Sequence, residues 1–366
     1  MSQKVYILFY CLIASFTTRA QGVVLSQPFM SSQFLSSASV GSGLYGSRLQ
    51  SNIKSQLING QNLYKTAVVG FDARFNAIDN SKNYLGYGLQ LVSDQVMNGV
   101  MQFNTIGFNL AYHIYLDDNL YKNISLGIGT SFNQTSLNRT KLRFEDQYDY
   151  TAKLSGNTSL ENLVPNPNAF SSNASALYTK HNESAFIQVG LSSSFVNKQN
   201  LSINLLNTAP ENRYRLLSSA EISFIDALTI AIHGNFMYQK SKQQFYAGAS
   251  IGMPLRNYED DIKRMYFGFY YRESEAFIPT ISFVSNKYIF GVSFDFYNTN
   301  KTASTIRTNS YELSLSTSFG RKKTNLFRTI FDKNLVYLKY DRTVHPFRVK
   351  ICIVFFIKVN SGFIPI

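Results

Sequence analysis

Charge is scarce in this sequence. Only 16% of its 366 residues are Asp, Glu, Lys or Arg, against about 25% in ordinary soluble domains. A surface solvated mainly by ionic side chains is thereby excluded. Cysteine is scarcer still: two thiols cannot build a disulfide framework, and no Cys/His grouping has the spacing of a metal site. Long apolar runs are missing too. Beyond the first 20 residues the best candidate, Ile351 to Ile357, stops at Lys358, whereas a membrane-spanning helix needs about 20 residues. Tryptophan is absent, so the aromatic content comes entirely from 24 Tyr and 30 Phe. With 45% apolar residues, a disordered chain is excluded as well.

The formal net charge of +13 invites a nucleic-acid reading, but its distribution argues against one. Residues 1–20 carry Lys4 and Arg19, giving +2, and residues 321–366 carry ten basic and two acidic side chains, giving +8. The body between them is nearly neutral at +3. The N-terminus has the form of a secretory signal peptide. Lys4 supplies the positive start, Val5 to Phe16 the apolar run, and Thr18 and Ala20 the small residues before a cut ahead of Gln21. Cleavage there removes Cys11 and leaves Cys352 as the one thiol. The expected organisation is a signal peptide over 1–20, a main domain over 21–320 and a basic tail over 321–366. The tail reads as a periplasmic extension, an unstructured segment or the product of an altered reading frame.

The body alternates with period two, the signature of strands with unlike faces. Tyr288, Phe290, Val292, Phe294 and Phe296 share one face, and Gly291, Ser293 and Asp295 the other. Leu85, Tyr87, Leu89 and Leu91 alternate with Gly86, Gly88 and Gln90. Ile124, Leu126 and Ile128 alternate with Ser125, Gly127 and Gly129. The runs are longer than soluble strands usually are, and their polar faces of Gly, Ser, Asn and Gln suit a water-filled lumen. These features predict an all-β fold, a transmembrane antiparallel barrel of about fourteen strands. The strands are expected near 40–50, 66–76, 84–94, 100–115, 122–137, 170–180, 183–196, 213–224, 227–239, 243–253, 264–274, 277–286, 287–299 and 308–319. The longest connections then follow strands one (51–65), five (138–169) and seven (197–212). Long loops on one side and short turns on the other are what an outer-membrane barrel shows, so those three loops are the expected cargo contacts. The pairs Tyr112 and Tyr115, Tyr270 and Tyr271, and Phe296 and Tyr297 are expected to form aromatic girdles at strand ends.

Chemical constellations are few. His113, His181, His233 and His345 have no spacing to a Ser nucleophile that would support hydrolysis; His233 reads as a polar lumen residue. The acidic groups Asp117–Asp118, Glu145, Asp146 and Asp149, and Glu259 to Asp261 read as solvated loop charge and match no calcium-loop order. Asn133, Asn138, Asn157 and Asn173 begin Asn-x-Ser/Thr triplets, which an Asn- and Ser-rich chain produces by chance. No catalytic, cofactor-binding or metal-binding residue is assigned, and no cofactor is expected.

The order of several segments resembles the PorP/SprF family of outer-membrane proteins, associated with the type IX secretion system of Bacteroidetes. The segments are Leu25 to Met30 with Ala38 to Ser42, Gly86 to Asp94, Leu110 to Leu116 with Ile124 to Gly129, Phe186 to Ser192, and Ser310 to Ser316 with Phe319. They cover roughly residues 21 to 320; the Asn-Pro pair of the family's opening is replaced here around Ser36–Ser39. The resemblance implies a non-enzymatic outer-membrane barrel that helps adhesin-like proteins to be exported or anchored. It also implies a periplasmic ring, a lipoprotein and a peptidoglycan-binding protein as partners. Membrane lipid is a further expected partner and nucleic acid is not. The alternative is a porin or small-solute transporter.

Overall fold

Strands form where the alternation runs. The computed structural model describes residues 23–43, 46–58, 61–75, 83–138, 141–142, 147, 167–182, 184–197, 212–224, 228–240, 242–255, 264–273, 275–285, 287–297 and 308–320. Within them lie β1 Ser47–Ile58, β2 Gln61–Phe75, β3 Tyr84–Val96, β4 Met101–Tyr115, β5 Lys122–Leu137, β6 Asn168–His181 and β7 Ala185–Ser194. There follow β8 Arg213–Ser223, β9 Thr229–Gln239, β10 Lys242–Pro254, β11 Arg264–Arg272, β12 Ala276–Val284, β13 Tyr288–Tyr297 and β14 Thr308–Phe319. Each strand pairs antiparallel with the next. β1 also pairs with β14, from Ser47↔Phe319 to Ile58↔Thr308, and closes the barrel.

Closure leaves no unpaired edge, which a sheet in hydrocarbon requires. The two faces are sorted inside out. Leu89, Leu91, Ile106, Phe108, Leu126, Ile128, Ile232, Phe269 and Ile281 are exposed on the outer wall. Asn52, Asp72, Asn109, Asn123, Thr179, Asp295 and Glu312 are buried on the lumen side. This is the arrangement of a barrel whose solvent is lipid outside and polar groups inside. The β12–β13 ladder is interrupted between Phe277↔Phe296 and Thr280↔Ser293. Pro279 lies in the gap and has no N–H to donate.

From β2 onward the strands stand within a few residues of expectation, and β5 and β14 coincide with it. The first strand does not. It spans 47–58 rather than 40–50, and only residues 59–60 separate it from β2. The expected loop over 51–65 therefore does not exist, and its assignment as a cargo contact is corrected. The physical reason is the composition of β1. Its lumen face carries Arg48, Gln50, Asn52 and Lys54 rather than small residues, and Ser51 and Ser55 interrupt its outer face. Long connections remain after β5 (138–167) and β7 (195–212), at the rim where the odd-numbered strands end, here termed the loop rim. The chain enters β1 and leaves β14 at the opposite, terminal rim.

The aromatic pairs also need correction. Tyr112, Tyr271 and Phe296 are exposed on the outer wall, but Tyr115 and Tyr270 are buried in the lumen, where Tyr297 packs against the cluster of Tyr246, Tyr270, Ala276 and Ile278. Members of a pair separated by one or three residues point to opposite faces of a strand, so each pair supplies one ring to the exterior. Residues 1–20, 321–366 and His345 lie outside the described residues.

An Ile128→Arg substitution tests the lipid-facing assignment. Ile128 sits in the middle of β5 and is 64% exposed. The variant is expected to lose about 2–4 kcal/mol of folding stability in bilayers, measured by urea titration in lipid vesicles. An unchanged stability would contradict a lipid-facing position.

Candidate functional site

The lumen is occupied by the chain's own N-terminal segment. Residues 23–43 form a 3-10 turn at Pro28–Met30, a single helical turn α1 at Ser32–Leu35 and a second 3-10 turn at Ser37–Ser39. Pro28 opens the first turn, where its fixed φ fits and its missing N–H costs nothing. Elements this short leave most of their backbone groups unpaired, and the barrel wall supplies the partners. The Ser26 and Gln27 amides donate to the two Glu312 carboxylate oxygens, at 2.6 and 3.0 Å. Asn52 Nδ2 donates to the Gln27 carbonyl at 3.2 Å and to Glu312 at 2.7 Å. Gln50 Nε2 donates to the Met30 carbonyl at 2.7 Å. Further along, the Ala38 amide donates to Ser175 Oγ at 2.7 Å, His113 Nε2 to the Val40 carbonyl at 2.8 Å, and the Gly41 amide to Asp72 at 2.8 Å.

These bonds fix the direction of the segment. Asp72 and His113 lie near the ends of β2 and β4, at the terminal rim. Lys54 and Arg272, which donate to the Val24 and Leu25 carbonyls at 3.3 and 3.1 Å, lie toward the loop rim. Read from residue 43 to residue 23, the segment thus climbs the lumen from one half into the other and acts as a plug.

Charges tie the plug to the wall. Arg48 grips Asp72 through two bonds, at 3.0 and 3.1 Å, while Asp72 also holds the Gly41 amide. Asp295 receives Lys54 at 2.8 Å and Arg272 at 3.3 Å, and Arg272 also reaches Glu275 at 3.4 Å. All but Glu275 are almost fully buried, so removing one partner strands a charge at about 3–5 kcal/mol. Apolar contacts are smaller. Met30 packs with Tyr266, Val284 and Ile289, Leu25 with Val68 and Val92, and Phe29 stacks on His233 at 4.4 Å.

Above the plug, toward the loop rim, lies a cavity of about 1200 Å³. Its floor is formed by Val23, Val24, Phe34 and Leu35 of the plug. Its wall carries Gln90, Asn109, Asn133 and Asn173 on β3 to β6, and Arg213, Arg215 and Lys242 on β8 and β10.

The residues singled out from sequence are dispersed. His233 is a lumen residue as expected; Nδ1 lies 3.2 Å from Ser219 Oγ, and Phe29 covers its ring. His113 is buried between the Val40 carbonyl, Ser125 and the Tyr84 ring, as part of the plug seat. His181 ends β6 rather than standing in the turn. Asp117 accepts the Lys122 amide at 3.0 Å within the β4–β5 turn. Asn133 and Asn173 line the lumen. Glu145, Asp146, Asp149, Asn157 and Glu259 to Asp261 lie outside the described residues. The plug and its seat were not anticipated.

A sequence profile described as "Type IX secretion system membrane protein PorP/SprF" matches residues 18–317. No curated protein matches the chain. Among solved structures, the toluene transporter TbuX of Ralstonia pickettii is similar at 9% identity and a TM-score of 0.48, covering 79% of this chain and 94% of that one. The CymD monoaromatic hydrocarbon channel is similar at 10% identity and a TM-score of 0.46, covering 82% and 94%. The toluene transporter TodX of Pseudomonas putida gives 10% identity and a TM-score of 0.43, covering 75% and 90%. At these values nothing about their solutes carries over.

A Gly127→Val substitution tests the seating of the plug. A Cβ at Gly127 would overlap the Ala38 backbone. Overpacking of this kind costs about 1–3 kcal/mol, so amide exchange at Ala38 and Gly41 is expected to rise about tenfold while the strands stay protected. Unchanged exchange there, measured by mass spectrometry on the purified barrel, would contradict the docked plug.

Proposed function

We propose a secretion role from one premise: the chain belongs to the PorP/SprF family of type IX secretion system membrane proteins. In this reading it is a non-enzymatic barrel of the outer membrane, exported by the signal peptide at residues 1–20. It aids the export or surface anchoring of adhesin-like proteins. Its partners are the periplasmic ring, a lipoprotein and a peptidoglycan-binding protein of the same system. Cargo meets the connections 138–167 and 195–212, which share the loop rim and whose length suits recognition. The observation that carries the reading is the family match over residues 18–317.

The occupied lumen supports a secretion role against the porin alternative. A porin keeps an aqueous channel, whereas here the wall spends its buried carboxylates and amides on the plug's backbone. A component that serves other proteins has no need of a standing solute path. Two measurements test this. Deleting the gene is expected to deplete adhesin-like proteins from the cell surface, read by surface proteomics; an unchanged surface inventory would overturn the reading. Liposomes carrying the purified protein are expected to swell in small sugars no faster than empty ones, and fast swelling would favour the porin.

A further inference from the structure

The described wall of the cavity above the plug carries a row of basic side chains. Arg213 and Arg215 stand two residues apart on the lumen face of β8, so their like charges share one surface. Register carries the row onward: Arg213 pairs with Gln239 of β9, and Gln239 with Lys242 of β10. Arg213 Nε donates to Gln239 Oε1 at 3.0 Å. Arg215 lies over the ring of Phe34 in the plug, 5.5 Å from its centroid. It is only 6% exposed, it borders the cavity, and among the described residues it has no carboxylate partner. The cavity's own acids are engaged elsewhere: Glu275 holds Arg272 at 3.4 Å, and Asp94 accepts Thr66 at 2.6 Å.

Burying a cation without a counter-charge is costly, and placing a second one beside it adds repulsion. For other cations of the same lumen the identical problem is solved with acids, since Lys54, Arg48 and Arg272 all meet carboxylates. At Arg215 no carboxylate among the described residues plays that part. The lumen also shows what it is built to hold. The plug is a non-repetitive peptide whose carbonyls are taken by Arg272, Asn52 and Gln50. The cavity continues that surface with side-chain amides at Gln90, Asn109 and Asn133.

We propose that this cavity is a binding site for an acidic peptide segment, its carboxylates held by Arg213, Arg215 and Lys242 and its backbone by the amide wall. The cavity lies toward the rim where the odd-numbered strands end, and in this proposal the segment enters from that side. Binding to purified protein is independent of the secretion reading, so either can fail without the other.

The test uses the full chain in detergent, with a dansyl-labelled tri-aspartate peptide as probe and its tri-asparagine counterpart as control. Tri-aspartate is expected to bind, with affinity falling as salt rises, and tri-asparagine is not. Arg215→Gln is expected to weaken binding about tenfold, the scale of one charge-assisted hydrogen bond. Because Arg215 touches the plug, Lys242→Gln serves as a second variant, expected to weaken binding in the same direction. Lys180→Gln, on the outer wall, removes the same charge and is expected to change nothing. Heat-modifiable migration on gels confirms that each variant is folded. Displacement of the probe by excess glutarate would assign the site to carboxylates in general, and resistance to it would assign the site to a peptide chain; both retain the cationic site. Equal binding of the two peptides, no binding of tri-aspartate, or unaltered affinity in both cavity variants would overturn the proposal.

Discussion

Everything in this molecule depends on closing the sheet. A strand edge in lipid exposes N–H and C=O groups that nothing there can satisfy, so β1 must find β14, and it does so along its whole length. Closure at fourteen strands creates a second demand. About eight strands give an interior that side chains alone can fill; fourteen leave a wider space. Small residues on much of the inner wall, such as Gly86, Gly127 and Ser175, widen it further. The N-terminal segment occupies what the wall cannot. Gly86 and Gly127 are the places where it comes closest, since a Cβ on either would meet the backbone of Val40 or Ala38.

How the plug is held follows from what it is. A chain of short turns has little apolar surface to bury and many backbone groups to satisfy. Many of its contacts are therefore hydrogen bonds to side chains of the wall, and its apolar clusters gather around Val23, Leu25, Phe29, Met30 and Phe34. Glu312 shows the economy of the arrangement. One carboxylate receives two successive plug amides and the Asn52 side chain. That leaves β14, β1 and the plug bonded at one point, next to the seam that closes the barrel. Seam and plug therefore stabilise each other.

The wall was largely legible in the sequence and its occupant was not. Period-two alternation is a local property, so runs such as Ile124 to Gly129 or Tyr288 to Phe296 declare both the strand and its outer face. The plug has no period. Its residues, among them Ser26, Gln27, Ser31 and Ser37, acquire meaning through partners elsewhere in the chain, as Ser26 does through Glu312. The cationic row of the cavity was hidden for the same reason. Arg213 and Lys242 become neighbours of one residue, Gln239, only once β8, β9 and β10 are in register.

The one strand that sequence reasoning misplaced is the most informative. Local rules fail in proteins mainly where function or binding has overridden them, and β1 fits that rule. Its lumen residues, read in order, are Arg48, Gln50, Asn52 and Lys54. Arg48 locks the Asp72 carboxylate that holds Gly41. Gln50 takes the Met30 carbonyl, Asn52 that of Gln27 and Lys54 that of Val24. Successive inward positions of one strand thus meet successive portions of the plug, from the terminal rim to the loop rim. Such a face has to be long and polar rather than small, which is why it read as a loop. The alternation is blurred in β1 because that strand serves at once as wall, seam and seat.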